Sequence, residues 1–334
     1  MNVLINGLGN IGTTIANVCL SYKDLLGIEN VFVFKNKPEA WLDEDVLRLK
    51  ERGAVVISSA VTTLESIGDQ IDYIFECRDH ETIQRTPKLY ESFSRLRGIV
   101  AQGSEHDHGM AVMSGVNMDL ARTKFKTHVV SCNSHGITAV LQAFAGSRLE
   151  RLIDADVVVV RRSEDVGASE KLVGSNVIVR HGDAAYGTHH ATDVRLLFQS
   201  LGIVCPLTTS DMNTPSQLLH AFRFHLMLRA PMSQQEALTC LAQHPFCAIT
   251  EKFDSNKIFE LGRRYGFQGR IFSHAIVCTS SILIQGQSIK GWAFIPQEGN
   301  SILSTMESFL HQTNHPDVSM TMARLTAELL RHWW

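Results

Sequence analysis

Two short stretches carry residue types that could do chemistry. In Val129-Val130-Ser131-Cys132-Asn133-Ser134-His135-Gly136 a β-branched run ends at a cysteine, and Ile137–Phe144 continues at helical spacing. That spacing puts Cys132 at a helix N-terminus, where the helix dipole stabilises a thiolate and so makes a nucleophile. Taken alone, the same pattern also describes a buried, inert thiol, which is the commoner case. Its place along the chain, where a first domain should be ending and a cleft beginning, favours reactivity. The second stretch, Gly7-Leu8-Gly9-Asn10-Ile11-Gly12, lies between the apolar run Val3–Ile5 and a helix with Ile11, Ile15, Val18 and Cys19 at helical spacing. A GxGxxG string alone is a weak signal. Between a strand and a helix, with a second apolar strand at Val31–Phe34, it becomes the turn that cradles a dinucleotide pyrophosphate. Gly7 permits the tight turn, Gly9 lets the backbone approach phosphate, and Gly12 allows close helix–strand packing. The amides at Asn10 and Ile11 open the helix toward the anion. The plainer reading is a strand-to-helix turn that needs glycine only for its backbone angles.

The second strand ends in Phe34-Lys35-Asn36-Lys37-Pro38, where an acid usually accepts hydrogen bonds from the adenosine ribose. A lysine there attracts a 2′-phosphate instead, which favours NADP, or dual use, over strict NAD; solvated strand-end charges are the alternative. The elements around both stretches follow the same logic. Apolar runs at Val55–Ser58, Ile71–Glu76 and Ile99–Gln102 alternate with helical segments and predict a parallel, doubly wound Rossmann-type sheet. After about residue 150, β-rich runs at Asp154–Arg161, Ser175–Arg180, Ile203–Leu207 and His274–Leu283 predict an α+β domain with a mixed sheet. Helices are expected at Pro215–Arg229 and Ser233–Ala242, and Ser301–Trp334 reads as a helical tail. The expected division is 1–131 for the dinucleotide domain and 132–297 for a catalytic domain, with helix 298–334 packing back on the first.

Bulk properties exclude several classes. Across 334 residues, 31 Lys plus Arg against 34 Asp plus Glu leave a formal charge of -3, without the basic excess a nucleic-acid partner requires. No apolar run is long enough for a transmembrane helix, and the N-terminus lacks the charge pattern of a signal peptide. The seven cysteines form no CxxC pair, so neither a disulfide framework nor a metal site is expected, and a reducing cytoplasm fits.

With INGLGNIG, FKNKPEA, VVSCNSHG, VVRRSED, THHATDV and IPQEGN in that order, the chain resembles the archaeal-type (type II) glyceraldehyde-3-phosphate dehydrogenases over nearly its whole length. The resemblance implies a cytoplasmic glycolytic homotetramer. It implies that Cys132 attacks the aldehyde to give a thiohemiacetal, that hydride passes to NAD(P), and that phosphate cleaves the resulting thioester. It further implies that Pro215-Ser216-Gln217-Leu218-Leu219-His220 is the helical segment bearing the base, making His220 the group that activates Cys132. Ser131, Asn133, His189 and His190 are then substrate contacts; Arg162, Gln297 and Gly103 are cofactor contacts.

Four departures bear on that picture. His135 stands where the family has a small hydroxyl residue. Phe222 stands where the family segment has a second histidine. Phe75-Glu76-Cys77-Arg78-Asp79-His80 replaces a glycine-rich loop, and Gly103 is followed by Ser104 rather than glycine. The bulk and titratability of His135 would favour another phosphorylated or acidic aldehyde. The alternatives are a semialdehyde dehydrogenase or acyl-phosphate reductase of the same fold, or a cofactor-binding regulatory protein with impaired catalysis.

Overall fold

The computed structural model describes the chain except for residues 36–42, 59–63, 86–87, 104–107, 166–167, 169, 171 and 217. The expectations placed on Lys37, Ser104 and Gln217 lie outside the described residues. The chain divides into two compact units. Met1–Ser114, Met118–Val129 and Ile302–Thr326 make the first; Gly115–Asn117, Val130–Ser301 and Ala327–Trp334 make the second.

The first unit is built on seven strands: β1 (Asn2–Asn6), β2 (Asn30–Lys35), β3 (Val55–Ser58), β4 (Tyr73–Glu76), β5 (Gly98–Gln102), β6 (Met110–Val112) and β7 (Lys126–Val129). They lie in the order β3-β2-β1-β4-β5-β7-β6, and every pair is parallel. Helices α1 (Asn10–Ser21), α2 (Lys23–Leu26), α3 (Glu44–Glu51) and α4 (His80–Arg85) fall between them. Val3, Leu4, Ile5, Val31, Ile74 and Phe75 have no exposed surface. That is why these strands read as unbroken apolar runs: both faces of a parallel sheet are covered. The strand order reverses between β1 and β4, and the residues leaving those two strands frame the crevice where such sheets bind ligands.

The second unit carries α5 (Cys132–Ala145), β8 (Leu152–Arg161), β9 (Val177–Ile178), α6 (His189–Gln199), β10 (Leu207–Asn213), β11 (His220–Leu228) and α7 (Gln234–Gln243). They are followed by β12 (Cys247–Thr250), α8 (Ser255–Tyr265), β13 (Ala275–Gln285) and β14 (Ser288–Ile295). Its sheet, ordered β12-β13-β14-β11-β8-β10-β9, is mixed. β8–β10 and β12–β13 run parallel, and β11 is antiparallel to both β8 and β14. An α/β fold with a parallel sheet and a mixed second sheet is what the sequence predicts.

Four expectations need correction. Pro215–Arg229 is not a helix: His220–Leu228 is a central strand whose residues alternate strictly between buried and half-buried. His220, Phe222, Phe224, Leu226 and Leu228 point to one face, a period of two that the apolar count obscured. The strand expected at Ile203–Leu207 begins only at Leu207, and that expected at Ser175–Arg180 shrinks to Val177–Ile178. The tail forms two helices, α9 (Ile302–Gln312) and α10 (Val318–Leu329). The break between them holds Asn314 at φ 53° and Pro316, which cannot continue a helix. No helix among the described residues is long and apolar enough to cross a membrane.

Candidate active site

The glycine loop leaves β1 for α1 with each glycine in a different situation. Gly7 sits at φ +102°, and a Cβ there would lie 2.8 Å from the Cys77 carbonyl carbon. A Cβ on Gly12 would fall 1.9 Å from the Gly7 oxygen. Gly9 is the exception: it is exposed, and a Cβ there would meet nothing within 4 Å. Two glycines are thus required by the protein's own packing, and the third opens onto free space at the N-terminus of α1. Asn10 and Ile11 begin that helix, and no side chain caps it. This is the cradle a pyrophosphate would fill. Gly103 also has φ +82° and open space at its Cβ position. Lys35 ends β2 as expected, but its ammonium is paired with the side chain of Asp43, the N-cap of α3. After β4, Glu76 is fully buried and holds the Arg78 guanidinium at 2.7 and 2.9 Å, so an ion pair stands where a glycine-rich loop was expected.

Cys132 is the first residue of α5, half-buried, with Ser131 as N-cap accepting from the Ser134 amide. The sequence predicts a thiol lowered by the helix dipole. Instead, burial pushes the thiol up to about 11, and the Glu298 carboxylate adds to the rise. The charges of Arg162 and Arg161 and the Asn133 amide only pull it part of the way back. Desolvation outweighs the two arginine charges and the Asn133 amide here.

Around α5 lie groups supplied by α6 and β10. His190 is buried. Its Nε2 lies 3.0 Å from Asp211 Oδ2 and 3.1 Å from the Asn133 amide, and its Nδ1 is 3.4 Å from Ser131 Oγ. Thr188, the N-cap of α6, donates to Asp211 Oδ1 at 2.9 Å. Burial would raise the Asp211 carboxyl, but His190, Thr188 and Arg161 together hold it below the usual carboxylate range. His189 is exposed and packs its ring at 3.9 Å from that of His190. Desolvation by the protein packed around its ring, followed by the charge of His190, pushes it down to about 4. One donor atom from each of His189, His190 and Asp211 falls within 4.8 Å of the others, a spacing that could hold a metal ion. Arg161 stands 3.7 Å from Asp211 and already supplies the positive charge there.

His220 opens β11 opposite the end of β8. Its Nδ1 accepts from the Arg162 backbone amide at 2.9 Å. With the Gln297 amide turned so that both ends meet complementary partners, its oxygen accepts from His220 Nε2 at 2.9 Å and from Arg162 Nε at 3.0 Å. Arg162 also meets Glu298 at 2.9 Å and Asp165 at 2.6 Å. Burial and the Arg162 and Arg161 charges drive the His220 imidazole well below its ordinary range. Its one lone pair is therefore already spent on a backbone amide. Arg162 and Gln297 likewise have their polar atoms engaged by the protein. His135 is fully buried rather than offered to a substrate: it packs edge-on at 4.8 Å against His274 and is held neutral, pushed by burial to about 4.

Asp211, Arg161, Glu298 and Asn300 belong to this site although the sequence reading passed over them. Asn300 donates to the carbonyls of Cys132 at 2.9 Å and His274 at 3.0 Å. The EGN of IPQEGN and the double arginine were the signals available for three of them; nothing local marked Asp211.

The chain is similar to glyceraldehyde-3-phosphate dehydrogenases. It is 22% identical to that of Metallosphaera sedula over 303 residues, 86% of either chain. The Archaeoglobus fulgidus enzyme is 22% identical over 306 residues, with the same coverage. That of Saccharolobus islandicus is 22% identical over 274 residues, 78% of this chain and 76% of the relative. No family model matches the chain.

Proposed function

We propose that the chain is a nicotinamide-dependent aldehyde dehydrogenase that oxidises glyceraldehyde 3-phosphate, or a related phosphorylated aldehyde, through a thioester on Cys132. The observation that carries this reading is the cysteine at the N-terminus of α5 with the charges of Arg161 and Arg162 both acting on its sulfur. Those charges oppose the burial of an anion and would also stabilise the oxyanion formed when sulfur attacks a carbonyl carbon. Loss of hydride from that carbon leaves a thioester. A phosphate oxygen then attacks the acyl carbon, and the thiolate departs.

A bound nicotinamide cofactor would supply the hydride acceptor. The open space at Gly9 supports a pyrophosphate there, with Gly7, Asn10, Ile11, Gly12 and Gly103 shaping the cradle. Lys35 supports NADP over NAD, provided its ammonium exchanges Asp43 for a 2′-phosphate. Arg162 and Gln297, already braced against each other and His220, would border the nicotinamide. Ser131, Asn133, His189 and His190 would line the substrate side. A cytoplasmic homotetramer accompanies this reading by resemblance.

The test is a panel of phosphorylated and plain aldehydes assayed with NAD+ and NADP+, with and without phosphate, alongside Cys132→Ser. Serine keeps the size without the thiol, so oxidation should disappear while cofactor titrations stay unchanged. Intact-mass analysis of the wild type, quenched without acyl acceptor, should show an acyl group on Cys132. Full turnover with Cys132 unmodified would sink the mechanism. A second reading, a cofactor-binding protein without catalysis, is kept in view by the thiol at about 11. It would be adopted if cofactor binds and no aldehyde reacts.

A further inference from the structure

The two oxygens of the buried Asp211 carboxylate are held differently by the protein. Oδ1 accepts from Thr188 Oγ1 at 2.9 Å, and that hydroxyl lies 2.7 Å from Thr209 Oγ1. Oδ2 is buried and has no hydrogen-bond partner among the described residues. A carboxylate oxygen taken out of water is costly unless a donor or a cation meets it. His190 Nε2 stands 3.0 Å from that oxygen. Asn133 Oδ1 is a second buried acceptor without a partner, and the amide nitrogen beside it lies 3.1 Å from the same His190 nitrogen. Turning that amide end for end brings another unmet oxygen to the same spot.

His189 and His190 are the first two residues of α6, and their ring centres lie 3.9 Å apart. One donor atom each from His189, His190 and Asp211 falls within 4.8 Å of the others, the one such group among the described residues. A tetrahedral zinc ion with bonds of about 2.0–2.2 Å sets its donors about 3.3–3.5 Å apart. The Asp211–His190 pair is already near that spacing, and the exposed His189 ring is free to swing and complete the set. Its exposure also gives an ion a path from solvent. Thr188 braces the carboxylate from behind, as hydrogen bonds to metal ligands commonly do. The opposing charge is Arg161, at a loose 3.7 Å from Oδ2. Its side chain is 33% exposed and its Nε has no hydrogen-bond partner among the described residues, so it can withdraw as a cation enters.

We infer that His189, His190 and Asp211 form a binding site for a divalent transition metal of the Zn2+ class, with Asn133 or solvent completing the coordination. Two imidazoles and one carboxylate select such ions over Mg2+ and Ca2+, which take oxygen donors. The site stands on these residues and does not require Cys132 to be a nucleophile. Its consequence for activity does rest on the proposed function. An ion there occupies the two histidines assigned to the phosphorylated aldehyde, so Zn2+ would inhibit in competition with that substrate.

The experiment titrates the full chain, without cofactor or aldehyde, with Zn2+ and with Co2+, reading bound metal and visible absorption. The wild type should take up about one equivalent, with cobalt d–d bands and no sulfur-to-cobalt charge-transfer band. Cys132→Ser should bind the metal within about twofold of the wild type, because sulfur is not a ligand. His189→Gln changes an exposed side chain and Asp211→Asn keeps the shape of a buried one, and each should weaken binding at least about tenfold. Thr188→Val, which removes the brace on Asp211, should weaken it about tenfold. Arg161→Gln, which removes the competing charge, should tighten it. No metal uptake overturns the site, as does wild-type affinity in His189→Gln or in Asp211→Asn. Loss of the metal in Cys132→Ser also overturns it, by placing the ion on the thiol. An acyl-free Cys132 during aldehyde turnover is a separate outcome: it removes the dehydrogenase mechanism and leaves the metal site standing on its own titration.

Discussion

At Cys132 two effects of known sign compete. Arg162, Arg161 and the Asn133 amide at the helix N-terminus favour the thiolate; burial and Glu298 favour the thiol, and burial wins, leaving it at about 11. The consequence is measurable in the free protein. Alkylation follows the thiolate fraction, so its rate should climb about tenfold per pH unit from pH 7 to 10 without a plateau. A rate that levels off below pH 8 would mean the dipole and arginines dominate after all. Arg161→Gln, which removes one favourable charge at a half-buried position, should slow alkylation at every pH in that range. The same competition explains what the residues alone could convey. The strand–cysteine–helix pattern located the thiol, but its acidity depends on how much protein covers it, and no spacing encodes that. Asp211 was illegible for a related reason. It lies 21 positions from His190 in the chain, and the two meet because α6 packs against β10.

Elements that answer to local packing were the most legible. The loop after β1 was read as a phosphate cradle, and its three glycines can be told apart by what a methyl group would strike. Gly12→Ala drives a carbon to 1.9 Å from the Gly7 oxygen and Gly7→Ala strains a φ of +102°, so both should lower Tm along with cofactor affinity. Gly9→Ala meets nothing within 4 Å. It should leave Tm within about 1 °C while weakening cofactor binding at least about tenfold, because only a bound phosphate would occupy that space. Unchanged cofactor affinity in Gly9→Ala would show that the loop is merely a turn. The parallel strands were readable because coverage on both faces leaves continuous apolar runs such as Val31–Phe34. The strand His220–Leu228 was not, because its half-buried face carries Ala221 and Met227 beside Arg223 and His225. Those apolar residues blur a period of two into one that resembles a helix. This error also changed the site: a histidine on a helix keeps both ring nitrogens available, whereas one opening a strand falls within reach of the Arg162 amide.

For the whole molecule, neighbourhood in the chain and membership of a compact unit differ. The sheet that would bind cofactor is made from strands between Asn2 and Val129, yet Ile302–Thr326 belongs to the same compact unit. That return is held by specific contacts. Phe309 has no exposed surface and meets the rings of Tyr73 at 4.8 Å and Phe75 at 5.5 Å. Gln312 donates to the carbonyls of Lys124 at 2.9 Å and Phe125 at 3.0 Å. Tyr73 and Phe75 lie in β4, the strand whose end frames the glycine loop through Cys77. Phe309, far from the loop in the chain, therefore helps fix the strand against which the loop packs. Phe309→Ala deletes a fully buried ring and should destabilise the protein by about 3–5 kcal/mol. Met320→Ala, also in the C-terminal segment but 64% exposed, should stay within about 0.5 kcal/mol. The distinguishing measurement is cofactor affinity well below the melting temperature. Phe309→Ala should bind more weakly there even though every cradle residue is intact, because β4 is free to shift beneath Gly7. Saturating cofactor should in turn recover part of the lost Tm, since a ligand that binds only the folded form stabilises it by mass action. Wild-type affinity in Phe309→Ala would mean that β1, β4 and the loop hold their geometry without the C-terminal segment.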